Sequence, residues 1–149
     1  MRQESDRELT QNRGMARTPD PPYVLVIDDD LVSRGILGDA LYRYGLVPLL
    51  ASSGREAIDL IAGASAPVLI VLAFRLPDMP ASELLAKLRA DARWARARVL
   101  LTSALPRAYV PLDMRIDGFV QKPFDVESLL RATRAVMRAE PAQGRSGEG

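Results

Sequence analysis

The apolar residues of the chain fall into two alternating patterns. Short apolar runs predict five β-strands, at Tyr23–Ile27, Val47–Ala51, 67–73, Val99–Thr102 and Gly118–Gln121. Helical spacing predicts helices at Ser33–Tyr44, from Ser52 or Ser53 to near Gly63, at Ser82–Ala90 with room to continue to Trp94, and at Asp125–Arg138. The unbroken apolar run that leads to Ala73 is typical of a central parallel strand covered on both faces.

This alternation predicts a doubly wound α/β domain over residues 23–138, with a five-stranded parallel sheet and helices on both faces. Pro106 and Pro111 interrupt any regular helix between the last two strands, so we expect the fourth helix to be short or irregular. Residues 1–22 and 139–149 are polar and contain little apolar material. We expect a disordered N-terminal arm and a disordered tail.

Composition narrows the class of protein. A hydrophobic content of 48% in 149 residues suffices for one core. The net charge of +1 gives no general attraction to nucleic acid or to an acidic membrane. The chain has no Cys and no His, and no apolar run reaches the roughly 18 residues that span a bilayer. We expect a cytoplasmic domain without nucleic-acid or membrane partners.

Polar residues follow three of the predicted strands. Asp28, Asp29 and Asp30 end the first, Ser103 ends the fourth, and Lys122 ends the fifth. Ligands of an open α/β sheet bind at the carboxyl ends of its strands, so these groups should share one edge. They suit a divalent cation and a phosphoryl oxygen. Each alone has an ordinary explanation as a cap or an exposed side chain, and only their order and spacing favour a site.

Four motifs resemble the receiver (CheY-like) domain of two-component response regulators, over residues 23–138. They are Val-Leu-Val-Ile-Asp-Asp-Asp, Arg-Leu-Pro-Asp-Met-Pro, Leu-Thr-Ser-Ala and Gly-Phe-Val-Gln-Lys-Pro-Phe-Asp. The resemblance implies a flavodoxin-like sheet with strand order 2-1-3-4-5 and a role in phosphorelay signalling.

The resemblance also implies roles for individual residues. Asp28 and Asp29 match the acidic pair that holds Mg²⁺ in the family, and the carbonyl of Arg75 matches a further metal ligand. Ser103 matches the hydroxyl residue that bonds the phosphoryl group. Lys122 matches the lysine that pairs with the phosphoacceptor, and the Lys-Pro bond that follows it is expected to be cis.

Two further positions concern the switch itself. Phe119 matches the aromatic residue that turns inward on activation, and Ala73 stands where the family has the aspartate that a histidine kinase phosphorylates. A methyl group neither attacks phosphorus nor binds a metal. We therefore expect a pseudo-receiver with no enzymatic activity and no cofactor, which binds Mg²⁺ weakly at best. Its partner would be a histidine kinase or a downstream effector, and a homodimer is possible.

Alternatives remain open on the sequence alone. Asp78 could serve as a substitute phosphoacceptor, or Ala73 could be a deliberate replacement that locks the domain off. Pro80 and Ala81 also depart from the family, where a Gly usually closes this motif, and Ala does not easily adopt the positive φ that Gly allows. Such coincident departures favour the pseudo-receiver. Without the acceptor carboxylate, we expect Lys122 to turn to Asp28 or Asp29.

Overall fold

The computed structural model describes residues 22–139. These residues contain one five-stranded parallel sheet, with its strands in the order β2-β1-β3-β4-β5. The strands are β1 (Tyr23–Ile27), β2 (Val47–Ala51), β3 (Leu69–Ala73), β4 (Arg98–Ser103) and β5 (Gly118–Gln121). The α-helices are α1 (Leu31–Tyr44), α2 (Gly54–Ile61), α3 (Ala81–Arg89) and α4 (Val126–Arg138). The predicted fold and strand order are confirmed. Apart from Pro22 and Ala139, the predicted arm and tail lie outside the described residues.

The central strand β3 is buried along its whole length and separates two apolar clusters. One cluster joins the sheet to α1 and α4, through residues such as Leu37, Val71 and Leu129. The other joins it to α2 and α3, through residues such as Leu72 and Leu84. Burial of each such side chain contributes about 1.5–3 kcal/mol. None of the helices described is long and apolar enough to cross a membrane.

Two helix boundaries differ from the predicted ones. Helix α1 begins at Leu31, before the predicted start, because the Asp30 carboxylate caps it and accepts hydrogen bonds from the backbone and hydroxyl of Ser33. Helix α3 ends at Arg89 and does not continue to Trp94. Ala81 is the first residue of α3, so the expected strain at this position does not arise.

The connection between β4 and β5 contains a single turn of 3₁₀ helix, Arg107–Tyr109. Pro106 precedes this turn, and Pro111 follows it closely. Val110 and Met114 point into the core and are 3% and 6% exposed. These two side chains cover the sheet beside this turn, and the prediction of a short or irregular fourth helix is confirmed.

The loop after β3 is fastened to the N-terminus of α2. The Asp78 carboxylate accepts hydrogen bonds from the backbone N–H groups of Gly54 and Arg55, at 3.0 and 2.8 Å. The Ser53 hydroxyl accepts the next one, from Glu56, at 3.0 Å. Ser53 is therefore the N-cap, and the first turn of the helix has few unpaired donors. The two backbone hydrogen bonds hold the pKa of Asp78 below its ordinary value.

This fastening predicts a pH-dependent effect of Asp78→Asn on stability. A carboxyl whose pKa is lowered by folding stabilises the protein above its unfolded pKa and loses that effect as the pH falls. At about pH 7 the variant should unfold at a lower urea concentration than the wild type, and the difference should shrink toward about pH 3. Urea titrations followed by circular dichroism at several pH values measure both quantities.

Asp113→Asn is the matched control, since the Asp113 side chain is exposed and has no hydrogen bond or ion pair among residues 22–139. It should leave the urea midpoint unchanged at each pH. If Asp78→Asn unfolds at the same urea concentration as the wild type at neutral pH, the proposed fastening is contradicted. A loss of stability that does not change with pH would also contradict it.

Candidate functional site

Strand register places three residues side by side at the carboxyl edge of the sheet. Ile27 lies opposite Leu72, so that Asp28 follows opposite Ala73, and Ala73 lies opposite Thr102. Successive side chains of a strand point to opposite faces. By this alternation Asp28, Ala73 and Thr102 face the side covered by α1 and α4, where neighbours two residues earlier on their strands pack. The methyl group of Ala73 thus lies between a carboxylate and a hydroxyl.

Lys122 forms an ion pair with Asp28 across this edge. The distance from Lys122 Nζ to Asp28 Oδ2 is 2.7 Å, and the Asp28 side chain is fully buried while that of Lys122 is 22% exposed. The other carboxylate oxygen accepts a hydrogen bond from the backbone N–H of Asp30 at 2.9 Å. Both oxygens of Asp28 are therefore engaged. The expectation that Lys122 would turn to Asp28 or Asp29 is confirmed, with Asp28 as the partner.

The Ser103 hydroxyl is committed to the local backbone. Ser103 is 4% exposed, and its Oγ accepts a hydrogen bond from the backbone N–H of Leu105 at 2.9 Å. The backbone N–H of Lys122 donates to the Ser103 carbonyl at 2.7 Å, which ties the ends of β4 and β5 together. By the same alternation the Ser103 side chain faces the opposite side of the sheet from Ala73, where it caps the end of β4.

The remaining predicted site residues lie around this centre. Asp29 and Arg75 are exposed, on the loops that follow β1 and β3. Phe119 is half-buried and packs against the cluster that joins the sheet to α2 and α3. The bond between Lys122 and Pro123 is cis, as expected. These positions agree with the predicted arrangement but do not test the role of any of them.

An open pocket of about 340 Å³ lies in front of Lys122. Its walls come from the start of α1 and from the connection between β5 and α4, and include Asp30, Ile36, Lys122 and Phe124. The Lys122 ammonium is therefore reachable from solvent, whereas Asp28 behind it is not.

Sequence reasoning missed Thr102. Its hydroxyl oxygen is buried and has no hydrogen-bond partner within residues 22–139. A Thr inside an otherwise apolar strand was the available signal, but the family motif drew attention to its neighbour Ser103. A carboxylate at position 73 would lie beside this hydroxyl. The Thr102 hydroxyl is therefore a hydrogen-bond donor whose natural acceptor, the carboxylate, is missing from this chain.

The residues present do not suit Mg²⁺. This ion binds through oxygen ligands and needs carboxylates that are free to reach it. Within residues 22–139 no three Asp, Glu, His or Cys side chains cluster as a metal site. Both oxygens of Asp28 are already engaged, and position 73 offers no ligand. A cation would have to displace Lys122 from Asp28.

Comparison with known proteins identifies the family that shares this sequence pattern. A family model described as "Response regulator receiver domain" matches residues 24–134. The chain is 33% identical over 129 residues to response regulator MprA of Mycolicibacterium vanbaalenii, covering 86% of this chain and 55% of the relative. It is 33% identical over 116 residues to MprA of Mycobacterium avium, covering 77% and 50%. The chain thus spans about half the length of the curated relatives it matches.

Solved structures agree on the fold. The chemotaxis response regulator CheY4 of Vibrio cholerae superposes with a TM-score of 0.69 at 23% identity, covering 77% of this chain and 98% of that one. A sensor protein from Polaromonas superposes with a TM-score of 0.71 at 20% identity, covering 79% and 97%. The family match, the relatives and the strand-end residues lead to one conclusion: the chain belongs to the response regulator receiver domains of two-component signalling.

Proposed function

We propose that the protein is a pseudo-receiver, which signals through protein contacts without conventional phosphorylation of an aspartate. The observation that carries the proposal is the ion pair between Lys122 and Asp28 beside the methyl group of Ala73. Without a carboxylate at position 73, the edge lacks the nucleophile that takes the phosphoryl group in the family. We also propose that the chain has no enzymatic activity and needs no cofactor.

The charge balance of the edge supports this proposal. A buried carboxylate is costly unless it is paired, and Lys122 supplies the charge and the hydrogen bond that Asp28 needs. Mg²⁺ would have to lose water and also break this pair. We therefore expect weak or absent Mg²⁺ binding. Asp29 is exposed, and its single carboxylate does not replace the ligands that are missing at Asp28 and at position 73.

The surroundings of Ser103 and Phe119 support the same proposal. In the family, the hydroxyl residue would move toward a phosphoryl group and the aromatic residue would turn inward. Here the Ser103 hydroxyl accepts a backbone hydrogen bond and Phe119 packs partly against the core, while the Thr102 hydroxyl beside position 73 has no partner within residues 22–139. The domain would hold one state, and its output would be constitutive or set by a partner.

Phosphorylation of Asp78 is the alternative function. Both oxygens of Asp78 accept backbone hydrogen bonds from α2, which stabilises the carboxylate and leaves it a poor nucleophile. Labelling of Asp78 would also unfasten the loop after β3 from α2. This geometry favours the pseudo-receiver over a substitute acceptor.

The proposed partner is a signalling protein, either a histidine kinase or a downstream effector, in the cytoplasm. The relatives carry the name response regulator, and a receiver domain that does not turn over a phosphoryl group can still bind such proteins. We propose no nucleic-acid or membrane partner for these residues. A homodimer is a further assembly that sedimentation would detect.

Titration with Mg²⁺ tests the proposal at its site. The wild-type chain should show no saturable Mg²⁺ binding in the sub-millimolar range by calorimetry. Ala73→Asp places a carboxylate between Asp28 and Thr102, and it should tighten Mg²⁺ binding because a second buried carboxylate competes for Lys122. A sub-millimolar site in the wild-type chain would overturn the proposal.

Removal of Lys122 tests the ion pair. Lys122→Met leaves the Asp28 carboxylate buried without a counter-charge, and it should lower the free energy of unfolding by about 3 kcal/mol. Chemical denaturation at neutral pH measures this loss.

The only other lysine of the chain supplies the matched control. Lys87 pairs with Glu83 at 3.9 Å on the exposed surface of α3. Lys87→Met should therefore cost less than about 0.5 kcal/mol. If the two variants are equally stable, the ion pair at the sheet edge has no structural importance and the account of the site fails.

A further inference from the structure

A groove lies beside the irregular connection between β4 and β5. It runs between α3 and the end of the connection from β4 to β5, and its volume is about 260 Å³. Leu85, Ala86 and Met114 supply its apolar lining. This volume exceeds that of one large apolar side chain and is at the small end for a ligand pocket.

The connection that borders the groove presents apolar side chains to solvent. Leu112 is 96% exposed and Tyr109 is 66% exposed, although both lie within a few residues of the buried Val110 and Met114. On the other side, α3 turns Ala86 outward. The connection that borders the groove therefore exposes large apolar side chains near it in sequence, a feature found on surfaces that bind another protein.

The rim of the groove is mainly cationic. Arg89 and Arg115 line it together with a single carboxylate, Asp113. The two arginines are close, because Arg89 Nη2 donates to the backbone carbonyl of Arg115 at 3.3 Å. Burial lowers the pKa of Arg89, Asp117 partly offsets this, and repulsion from Arg115 lowers it further. A carboxylate at the rim would relieve that repulsion.

Arg89 also holds the groove in shape. Its Nη1 donates to the carbonyls of Ala95 and Ala97 at 2.7 and 2.8 Å. Its buried Nε–H has no acceptor within residues 22–139. The hydrogen bonds of Arg89 therefore fix this wall of the groove in place.

We propose that this groove binds a segment of a partner protein that carries an aliphatic or aromatic anchor next to an acidic residue. The anchor lies on Leu85, Ala86 and Met114, and the carboxylate pairs with Arg115 and Arg89. This surface is the place of contact for the partner of the pseudo-receiver, so the inference rests on the proposed function. It does not involve the ion pair at the sheet edge.

Selection from a random peptide library displayed on phage tests the proposal, with the wild-type chain as the target. Enriched peptides should share an apolar residue within one helical turn of Asp or Glu. Their affinity for Arg115→Glu should fall at least about tenfold, since the variant replaces an attractive rim charge with a repulsive one. Ala86→Arg, which fills the groove from the exposed face of α3, should abolish binding.

Arg96→Glu is the matched control, because Arg96 is an exposed arginine that does not line the groove. It should bind the peptides as the wild type does, and all three variants should keep the wild-type melting temperature. The proposal is overturned by no enrichment, by enriched peptides without the acidic residue, or by equal losses for Arg115→Glu and Arg96→Glu.

A second copy of the chain could occupy the groove instead of a partner protein. Sedimentation that depends on protein concentration, and that Ala86→Arg abolishes, would show such self-association and would overturn the proposal. Failure of the groove is distinguishable from failure of the pseudo-receiver. Peptide binding does not depend on Mg²⁺ or on position 73, whereas the proposed function is decided there.

Discussion

The ion pair between Lys122 and Asp28 joins residues 94 positions apart and sets the state of the whole carboxyl edge. It spans from β5 to β1 across the ends of β3 and β4, and the small side chain of Ala73 leaves that path open. Within the low-polarity edge, a carboxylate and an ammonium at 2.7 Å are each other's best partner. A metal ion that bound Asp28 would have to displace Lys122 first.

The rest of the domain reinforces this fixed edge. Ser103 is bound to the backbone of Leu105, and the β3 loop is fastened to α2 by Asp78. The connection between β4 and β5 is a single 3₁₀ turn anchored by Val110 and Met114. Ser103 and the β3 loop are thus tied locally, whereas the Thr102 hydroxyl beside position 73 has no partner within residues 22–139. The groove beside α3 follows from the same shortened connection.

Much of the fold could be predicted because its determinants are local. Continuous apolar runs specify buried parallel strands, and Pro106 and Pro111 specify the interrupted connection. The pairing of Lys122 with an acidic residue could also be predicted, because Ala73 leaves this lysine without the carboxylate that it contacts in the family. The fastening of α2 by Asp78 could not be predicted, since it joins residues 24 apart through backbone donors that carry no sequence signal. The shape of the groove could not be predicted either, because it depends on hydrogen bonds from Arg89 to the carbonyls of Ala95, Ala97 and Arg115.

The most direct measurement of the central claim is incubation of the wild-type chain with acetyl phosphate and Mg²⁺, followed by intact-mass and peptide mass spectrometry. A receiver domain that has the acceptor aspartate serves as the positive control. The account predicts that this chain gains no phosphoryl group on any residue. A stable phosphoryl adduct on an aspartate, whether Asp78, Asp28 or Asp29, would contradict it.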